Sequence, residues 1–560
     1  MAPTCEFNRL FQRRVVHILE MIFFSLDYKT FKNSLEVSKS WKALLTSEYL
    51  QKRGKDVYSE EIKKELLISA KEGNVDKIKL ILFNFGVDGA QLNMTDHKGS
   101  TPLLNAARGG HKDVTLLLLE KGAQPNVADE DGYTPLIYAA IYGHFDVAKL
   151  LLDRGADQNI KDENGNTPLS IATCMGSMDV LHLLLEKGAQ PNVADEDGNT
   201  PLIYAAKEDY KDVVSSLLDR GAEPNLADQN GRTSLYYASG NGHIDVVQLL
   251  LDRGAEPNIA NNMGYTPLHL AAMEGHIDVI PLIIEHKADI NAVNHLGETP
   301  LMCAAYEGKS DVVKSLLIRG ADPNLADIHG STALHCDEPE AVFSLLEAGA
   351  NPNKADQSGD VPLMRAVQEG NKEVAQLLLN MGADPNIADQ NGYTPLLSAA
   401  IRGHKDILEL LLKKGSHPNI ADEEGLTPLR CALDHYASHK GHLDMVQLLL
   451  SRGAEPNIAD EDGCTPLHWA ASVNHVEVAQ LLLCRGADPN IADRDGFTPL
   501  SNAAQEGCKE VAQLLLSRGA DPNKADKDGL TPLSSAYHGG HIDTANILTN
   551  YGATPQCKDV

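Results

Sequence analysis

Apolar and polar positions follow one pattern that returns about every 33 residues along most of the chain. The clearest copy spans residues 128–160. It opens with a turn from Asp129 to Gly132, where glycine can adopt a positive φ. Thr134 follows as a helix cap, and Pro135 takes the first helical position, where no amide hydrogen is needed. The pattern therefore predicts a tight turn followed by a short first helix.

The second half of each copy predicts a second helix. Val147, Leu150 and Leu151 recur at helical spacing and form an apolar stripe. Gly143 and Gly155 follow the two helical segments, as expected for residues that end helices. One such unit cannot bury its own apolar face, whereas a stack of them can.

The consensus sequence of the repeat resembles that of the ankyrin family. It reads D-x-x-G-x-T-P-L, then A-A-x-x-G-H, then D-V-x-x-L-L-L and G-A-D/E-x-N. The resemblance covers roughly residues 60–557. It implies an all-α fold, an ankyrin-repeat solenoid of about 15 helix-turn-helix repeats with β-hairpin loops.

Changes in the period divide the chain. Residues 58–94 are predicted to form a connector and a degenerate capping repeat. Full repeats follow as a first block, 95–325, and a second block, 355–557, with an insertion near 433–440. The repeat between them, 326–354, is four residues short.

The short repeat is predicted to be a weak layer that separates the two blocks by a bend. It lacks the paired alanines of a full repeat and carries Asp337-Glu338-Pro339-Glu340 instead. We expect Asp337 to cap its second helix and Glu340 to complete a capping box. A smaller defect is Pro281, which removes a hydrogen bond from its helix unless that helix starts late.

Residues 1–57 do not repeat and are too few to bury a good core alone. They resemble an F-box, whose pattern L-P-x-E-[IL]-L-x-x-I-[FL]-x-x-L-D precedes a Val-Cys/Ser-Lys/Arg-x-Trp ending. Arg14-Val15 stands where the family has Leu-Pro, and His17 where it has Glu. The resemblance implies a small helical domain that binds a Skp-type adaptor and, through it, a cullin. The implied adaptor-binding residues are Ile18, Leu19, Ile22, Leu26, Phe31, Val37 and Trp41.

Charge limits the possible partners. The chain carries a net charge of −29. Residues 1–60 hold three more basic than acidic residues, so the repeats carry −32. Such a surface argues against nucleic acid and anionic membranes as partners.

No chemistry is evident beyond binding. The nine cysteines show no C-x-x-C pairing, which favours reduced thiols in the cytoplasm or nucleus. The sequence contains no phosphate-binding loop, H-E-x-x-H or G-x-S-x-G motif, so we expect no enzyme, no cofactor and no metal site.

In ankyrin families the hairpin tips and the ends of the first helices line a concave face that binds partners. Aromatic residues and methionines at these positions are typical of an interface. Acidic tips such as Glu130-Asp131 lie between them, so we expect a basic protein target. The candidate target-binding residues are Tyr133, Tyr142, Met263, Tyr265, Met273, Tyr306, Tyr393, Arg402 and Phe497.

Two functions follow from these resemblances. The first is a monomeric substrate receptor of an SCF-type cullin-RING ubiquitin ligase, with the F-box on the adaptor and the repeats on the target. The second is a non-enzymatic ankyrin scaffold with a structural N-terminal cap and no role in ubiquitin transfer. Either function suits a cytoplasmic protein, or the host cytosol if the chain is a microbial effector.

Overall fold

The computed structural model describes residues 59–85, 91–433 and 439–554. Contacts divide the chain into two units. The first, unit 1, is Met1–Asn262 with Glu285–Lys287, and unit 2 is Met263–Ile284 with Ala288–Val560. The break predicted at residues 326–354 lies inside unit 2, and its effect on stability stays a prediction.

The described residues form 29 helices, arranged as pairs. The helices that lie wholly or mainly in unit 1 are α1 Ser59–Lys71, α2 Val75–Phe85, α3 Pro102–Arg108, α4 Lys112–Glu120, α5 Pro135–Ile141, α6 Phe145–Asp153, α7 Pro168–Cys174, α8 Met178–Glu186, α9 Pro201–Lys207, α10 Lys211–Asp219, α11 Ser234–Gly240 and α12 Ile244–Asp252.

Unit 2 continues the numbering. Its helices are α13 Pro267–Glu274, α14 Val279–Glu285, α15 Pro300–Tyr306, α16 Ser310–Ile318, α17 Pro339–Glu347, α18 Pro362–Gln368, α19 Lys372–Asn380, α20 Pro395–Arg402, α21 Lys405–Lys413, α22 Pro428–Cys431, α23 His439–Ser451, α24 Pro466–Ser472, α25 Val476–Cys484, α26 Pro499–Gln505, α27 Lys509–Ser517, α28 Pro532–His538 and α29 Ile542–Asn550.

The predicted local chemistry of the repeat is confirmed in its clearest copy. The Thr134 hydroxyl accepts a hydrogen bond from the Ile137 amide, and Pro135 begins α5. Gly132 and Gly155 both adopt positive φ, 78° and 87°. A β-carbon on Gly132 would come within 2.7 Å of the Glu163 backbone nitrogen, so this turn also needs glycine for space.

Neighbouring repeats within each unit are joined by an asparagine that ends the G-A-x-x-N motif. The Asn490 amide nitrogen donates to the carbonyl of Gly519 at 3.0 Å, and its Oδ1 accepts from the amide of Asp521 at 2.8 Å. The same pair of bonds recurs in unit 1, where Asn225 contacts Gly254 and Glu256. One side chain therefore satisfies backbone groups at the start of the following repeat's loop.

The loops are tighter than the predicted β-hairpins. Among the described residues no strand forms, apart from one isolated bridge between Ala227 and Thr233. The tip of the repeat at residues 128–160 closes with two backbone bonds, from the Asp129 amide to the Tyr133 carbonyl and from the Gly132 amide to the Asp129 carbonyl. The carboxylate of Asp129 accepts the return bond from the Tyr133 amide, so no ladder can extend.

The short repeat differs from its prediction at the helix start. Its first helix is reduced to a 3-10 turn, Ala333–His335. The predicted capping box of Asp337 and Glu340 is wrong: α17 begins at Pro339, Glu338 is the cap residue, and no side chain bonds the cap. Pro339 at the first position lacks an amide hydrogen, so fewer donors need a cap there.

Candidate functional site

Each repeat presents two surfaces. The hairpin tips and the exposed side of the first helices form the first-helix face, and the exposed side of the second helices forms the second-helix face. Consecutive tips in a unit are joined through the backbone, as from the Glu130 amide to the Lys98 carbonyl at 3.1 Å. The tip side chains are therefore held at fixed spacing along the first-helix face.

In unit 1, tyrosines lock the first helix onto the hairpin aspartate of the same repeat. The Tyr138 hydroxyl donates to the carboxylate of Asp129 at 2.7 Å. The pKa of Tyr138 is raised far above 10, mainly by burial and next by that hydrogen bond. The same bond joins Tyr204 to Asp195 and Tyr237 to Asp228, at 2.5 and 2.8 Å.

Both predicted target-binding residues of unit 1 lie in one aromatic cluster. Tyr133 meets Tyr138 edge to face with ring centres 5.5 Å apart, and Tyr142 stacks on Tyr138 at 6.5 Å. The Arg108 guanidinium lies 5.5 Å from the Tyr138 ring centre. Tyr142 remains exposed, whereas Tyr133 is half-buried.

A second cluster of unit 1 has basic side chains on tyrosine rings. The Lys207 ammonium lies 4.0 Å from the Tyr237 ring centre, and the Arg232 guanidinium lies 5.0 Å from it. Burial and the nearby Arg232 lower the pKa of Lys207. Burial alone would raise the pKa of Asp228, but hydrogen bonds from the Arg232 amide and the Tyr237 hydroxyl outweigh it and lower that pKa.

Unit 2 starts with three consecutive repeats whose tips are apolar and exposed. Met263 exposes 61% of its surface, Leu296 43% and Ile328 50%. Backbone bonds align them, from the His295 amide to the Met263 carbonyl and from the Ile328 amide to the Leu296 carbonyl. The equivalent tip positions of unit 1 carry Asp131, Asn164 and Asp197 or their neighbouring glutamates.

The predicted tyrosines of this region are held beside a carboxylate. The Tyr265 hydroxyl donates to Glu298 Oε2 at 3.3 Å, and the Asn294 side chain donates to the same oxygen at 2.7 Å. Tyr306 is exposed and its hydroxyl donates to the Thr332 carbonyl at 3.1 Å. Met273 is half-buried near the end of α13.

Acidic residues flank this apolar and aromatic surface. Glu274, Glu307 and Glu369 are exposed at the ends of first helices in unit 2. Burial raises the pKa of Cys303 and of Cys336 to about 12, so these thiols stay protonated and are poor nucleophiles. These two thiols therefore add no reactive group to the surface.

The remaining predicted residues lie further along unit 2. Tyr393 is half-buried and Arg402 is exposed, both in the repeat that starts at residue 388. Phe497 is half-buried, three repeats on. Trp469 is not among the predicted residues, yet its ring centre lies 4.4 Å from the Arg430 guanidinium. Its register could have revealed it, since it equals that of Tyr138 and the other locking tyrosines.

The predicted adaptor-binding residues, Ile18 to Trp41, lie outside the described residues. Within the part that the structure describes, no group of three His, Cys, Asp or Glu side chains could hold a metal ion. The same part contains no helix with the length and hydropathy needed to cross a bilayer.

Several histidines of the G-H motif contact the preceding repeat. His111 Nε2 donates to the Lys71 carbonyl at 2.9 Å, and His243 Nε2 to the Lys207 carbonyl at 3.0 Å. Each of these side chains precedes a second helix, α4 or α12, and bonds the end of the first helix of the preceding repeat.

Comparison with known families identifies the repeat. The family model for ankyrin repeats (three copies) matches in ten overlapping segments between residues 66 and 559. The chain belongs to the ankyrin-repeat family. Ankyrin repeats bind proteins, so this chain is a protein-interaction protein.

One solved structure similar to this chain is the ankyrin-repeat domain of Bcl-3, described as a unique member of the IkappaB protein family. It is 28% identical, with a TM-score of 0.36, and the match covers 39% of this chain and 97% of that one. The comparison with curated proteins gave no match.

Proposed function

We propose that this chain is the substrate receptor of an SCF-type cullin-RING ubiquitin ligase. The F-box pattern of residues 1–57 supports binding of a Skp-type adaptor, and the ankyrin repeats supply the surface for a target protein. Such a receptor performs no chemistry itself. It raises the effective concentration of target lysines near the ubiquitin carrier.

The observation that carries target binding is the row of exposed apolar tips in unit 2. Exposed apolar side chains that adjoin on three repeats favour a contact surface over chance exposure. Met263, Leu296 and Ile328 would fill pockets of the target, the role that apolar anchors play in interfaces.

The charge of the flanking groups favours a basic target. Glu274 and Glu307 end the first helices beside these tips, and Glu298 lies between them. In unit 1, by contrast, Arg108 and Lys207 occupy the ends of first helices. A basic segment is therefore expected on unit 2, where complementary charge speeds association and excludes acidic proteins.

Co-purification with a Skp-type adaptor tests the ligase role. The wild-type chain should retain the adaptor, and the Leu26→Ala/Trp41→Ala double variant should lose it, since each buried apolar anchor is worth about 2–5 kcal/mol. Leu296→Asp serves as the control and should retain the adaptor. Equal retention by wild type and double variant would contradict the F-box assignment, and no retention by the wild type would favour a scaffold without a ubiquitin role.

Proximity labelling in cells tests the target surface separately. Leu296→Asp should reduce labelling of the target, whereas Asn164→Asp, at the equivalent tip of unit 1, should not. A labelling pattern that both variants change equally would contradict the assignment to unit 2.

A further inference from the structure

The second-helix face carries a ladder of charged side chains in unit 1. The last residue of one second helix is acidic, and the residue that follows the next second helix is basic. Lys187 pairs with Asp153 at 2.7 Å, and Arg253 pairs with Asp219 at 2.7 Å. These positions are solvated, and charge is the residue type expected there.

In unit 2 the ladder is replaced by apolar residues next to the short repeat. Ile318 occupies the acidic position at the end of α16 and exposes 84% of its surface. The basic position after α17 is Ala348, and the one after α19 is Met381, which is 41% exposed. Phe343, on α17, is 43% exposed at a position where neighbouring repeats have Lys314 and Gln376.

Ile318, Phe343 and Ala348, but not Met381, line a shallow groove across α16, α17 and α19. Leu317, Ile318, Phe343, Ala348 and Leu377 supply its apolar surface. The groove lies entirely within unit 2 and shares no residue with the hairpin tips that the proposed function uses.

The rim of the groove has an excess of negative charge. It is lined by Lys314, Glu340, Glu347 and Glu373. The Lys314 ammonium is shared between Glu340 and Asp311, at 3.8 and 3.9 Å.

Glu347 and Glu373 make no ion pair within the part of the chain that the structure describes. Glu347 ends α17 at the acidic ladder position, but its expected basic partner is Met381. Two solvated carboxylates thus border an apolar surface without a cation of their own.

We propose that this groove binds a basic amphipathic helix of a second protein partner. The apolar side of such a helix would cover Ile318 and Phe343, in the way that helices lie in grooves with anchors at i, i+3, i+4 and i+7. Its Lys or Arg residues would pair with Glu347 and Glu373. A second copy of this chain is a poorer fit. A stable interface buries about 800 Å² per partner, and the few exposed apolar side chains of this groove, chiefly Ile318 and Phe343, fall short of that.

The test uses the full chain and a labelled synthetic peptide of about 15 residues, enough for a helix when bound. The peptide has leucines on one side and lysines at both edges, and a second peptide has glutamates in place of the lysines. Fluorescence anisotropy should show that the lysine peptide binds at least tenfold more tightly than the glutamate peptide.

Variants that copy the residues of other repeats should preserve the fold. Ile318→Asp restores the residue type of Asp219, and Phe343→Gln restores that of Gln376. Each should weaken binding of the lysine peptide at least tenfold. Ile244→Lys, at an equally apolar exposed position of α12, should leave binding unchanged. Circular dichroism of each variant verifies that helix content is kept.

Charge is tested with Glu347→Gln/Glu373→Gln, which should weaken binding and reduce its dependence on salt. The proposal is overturned if the lysine peptide does not bind, if Ile318→Asp and Phe343→Gln bind it like wild type, or if both peptides bind equally. It is also overturned, in favour of self-association, if sedimentation shows a dimer that Ile318→Asp abolishes.

Discussion

The two units fasten their first helices with different side chains. Unit 1 uses tyrosines at the ninth position after the hairpin aspartate, as in the bond from Tyr237 to Asp228. Unit 2 uses histidines one position earlier, and His269, His335 and His468 are at most 3% exposed. No buried histidine occurs in unit 1 among the described residues.

Each of these buried histidines, called a histidine clamp, makes two contacts that fix which ring nitrogen carries the proton. His269 Nδ1 accepts a hydrogen bond from the Thr266 amide at 3.1 Å, so it must be unprotonated. Nε2 then donates to the carbonyl of Glu298, in the next repeat, at 3.0 Å. His468 repeats both contacts with Thr465 and Phe497.

The two ways of fastening the first helix therefore differ in their response to pH. A tyrosine that donates to its hairpin aspartate, called a tyrosine clamp, keeps its proton through neutral pH, because its pKa is raised further above 10. A histidine clamp fails on acidification, because a proton on Nδ1 would face an amide N–H. Burial lowers the pKa of His269 and of His468, so the folded state favours the neutral rings.

The largest expected effect is a loss of stability of unit 2 as pH falls from 7.5 to 5. The unfolded state binds protons near pH 6.5 and the folded state only at lower pH, so the free energy of unfolding decreases below pH 6.5. Urea unfolding followed by Trp469 fluorescence, in a Trp41→Phe background, should shift to lower urea at pH 5.

Unit 1 provides the control for that shift. The lowered pKa of Asp228 places its loss of stability below the usual carboxyl range near 3.8, outside this window. Hydrogen exchange in α11, corrected for intrinsic rates, should therefore change little between pH 7.5 and 5. Equal destabilisation of both units would contradict the histidine account.

The second expected effect comes from removing one histidine clamp. His269→Ser introduces the residue that α7 has at the same position, Ser170, which completes a capping box there. It loses the bond to the Glu298 carbonyl and leaves a cavity, so unfolding of unit 2 should become easier by about 3 kcal/mol. His295→Ser, at an exposed tip, should leave the free energy of unfolding almost unchanged. The loss of stability between pH 7.5 and 5 should become smaller only in His269→Ser.

Much of this fold could be predicted from the sequence, because the local signals recur in register. Thr134, Pro135 and Gly132 have the predicted roles. Pro281 meets the condition attached to it: α14 starts late, at Val279, which leaves the proline in the first turn, where its missing amide hydrogen removes no helical bond.

The clamps and the groove could not be predicted in the same way. Whether His269 is a solvated or buried ring depends on the next repeat, which supplies the Glu298 carbonyl. The capping box at Asp337 and Glu340 failed because Pro339 moved the helix start by one residue. Both outcomes depend on tertiary packing that a local pattern does not contain.

A smaller effect is expected from removing one tyrosine clamp. Tyr237→Phe deletes the hydroxyl that donates to Asp228, and a half-buried hydrogen bond of this kind is worth about 1 kcal/mol. Faster hydrogen exchange in α11 would report the loss. Tyr142→Phe is the matched control, since the Tyr142 ring is exposed, and it should leave exchange unchanged.

The smallest expected effect concerns the ladders of the second-helix face. Arg253 pairs with Asp219 at 2.7 Å in unit 1, while the equivalent Lys414 of unit 2 bonds the neutral Asn380. An exposed ion pair is worth about 0.2–1 kcal/mol and is screened by salt, so Arg253→Gln should destabilise unit 1 slightly at low salt and not at 1 M NaCl. Lys414→Gln has no opposite charge at Asn380 to lose, so hydrogen exchange should show an effect on unit 2 that is independent of salt. A salt-dependent effect at both positions would mean that the net negative charge of the repeats, rather than the pair, sets the response.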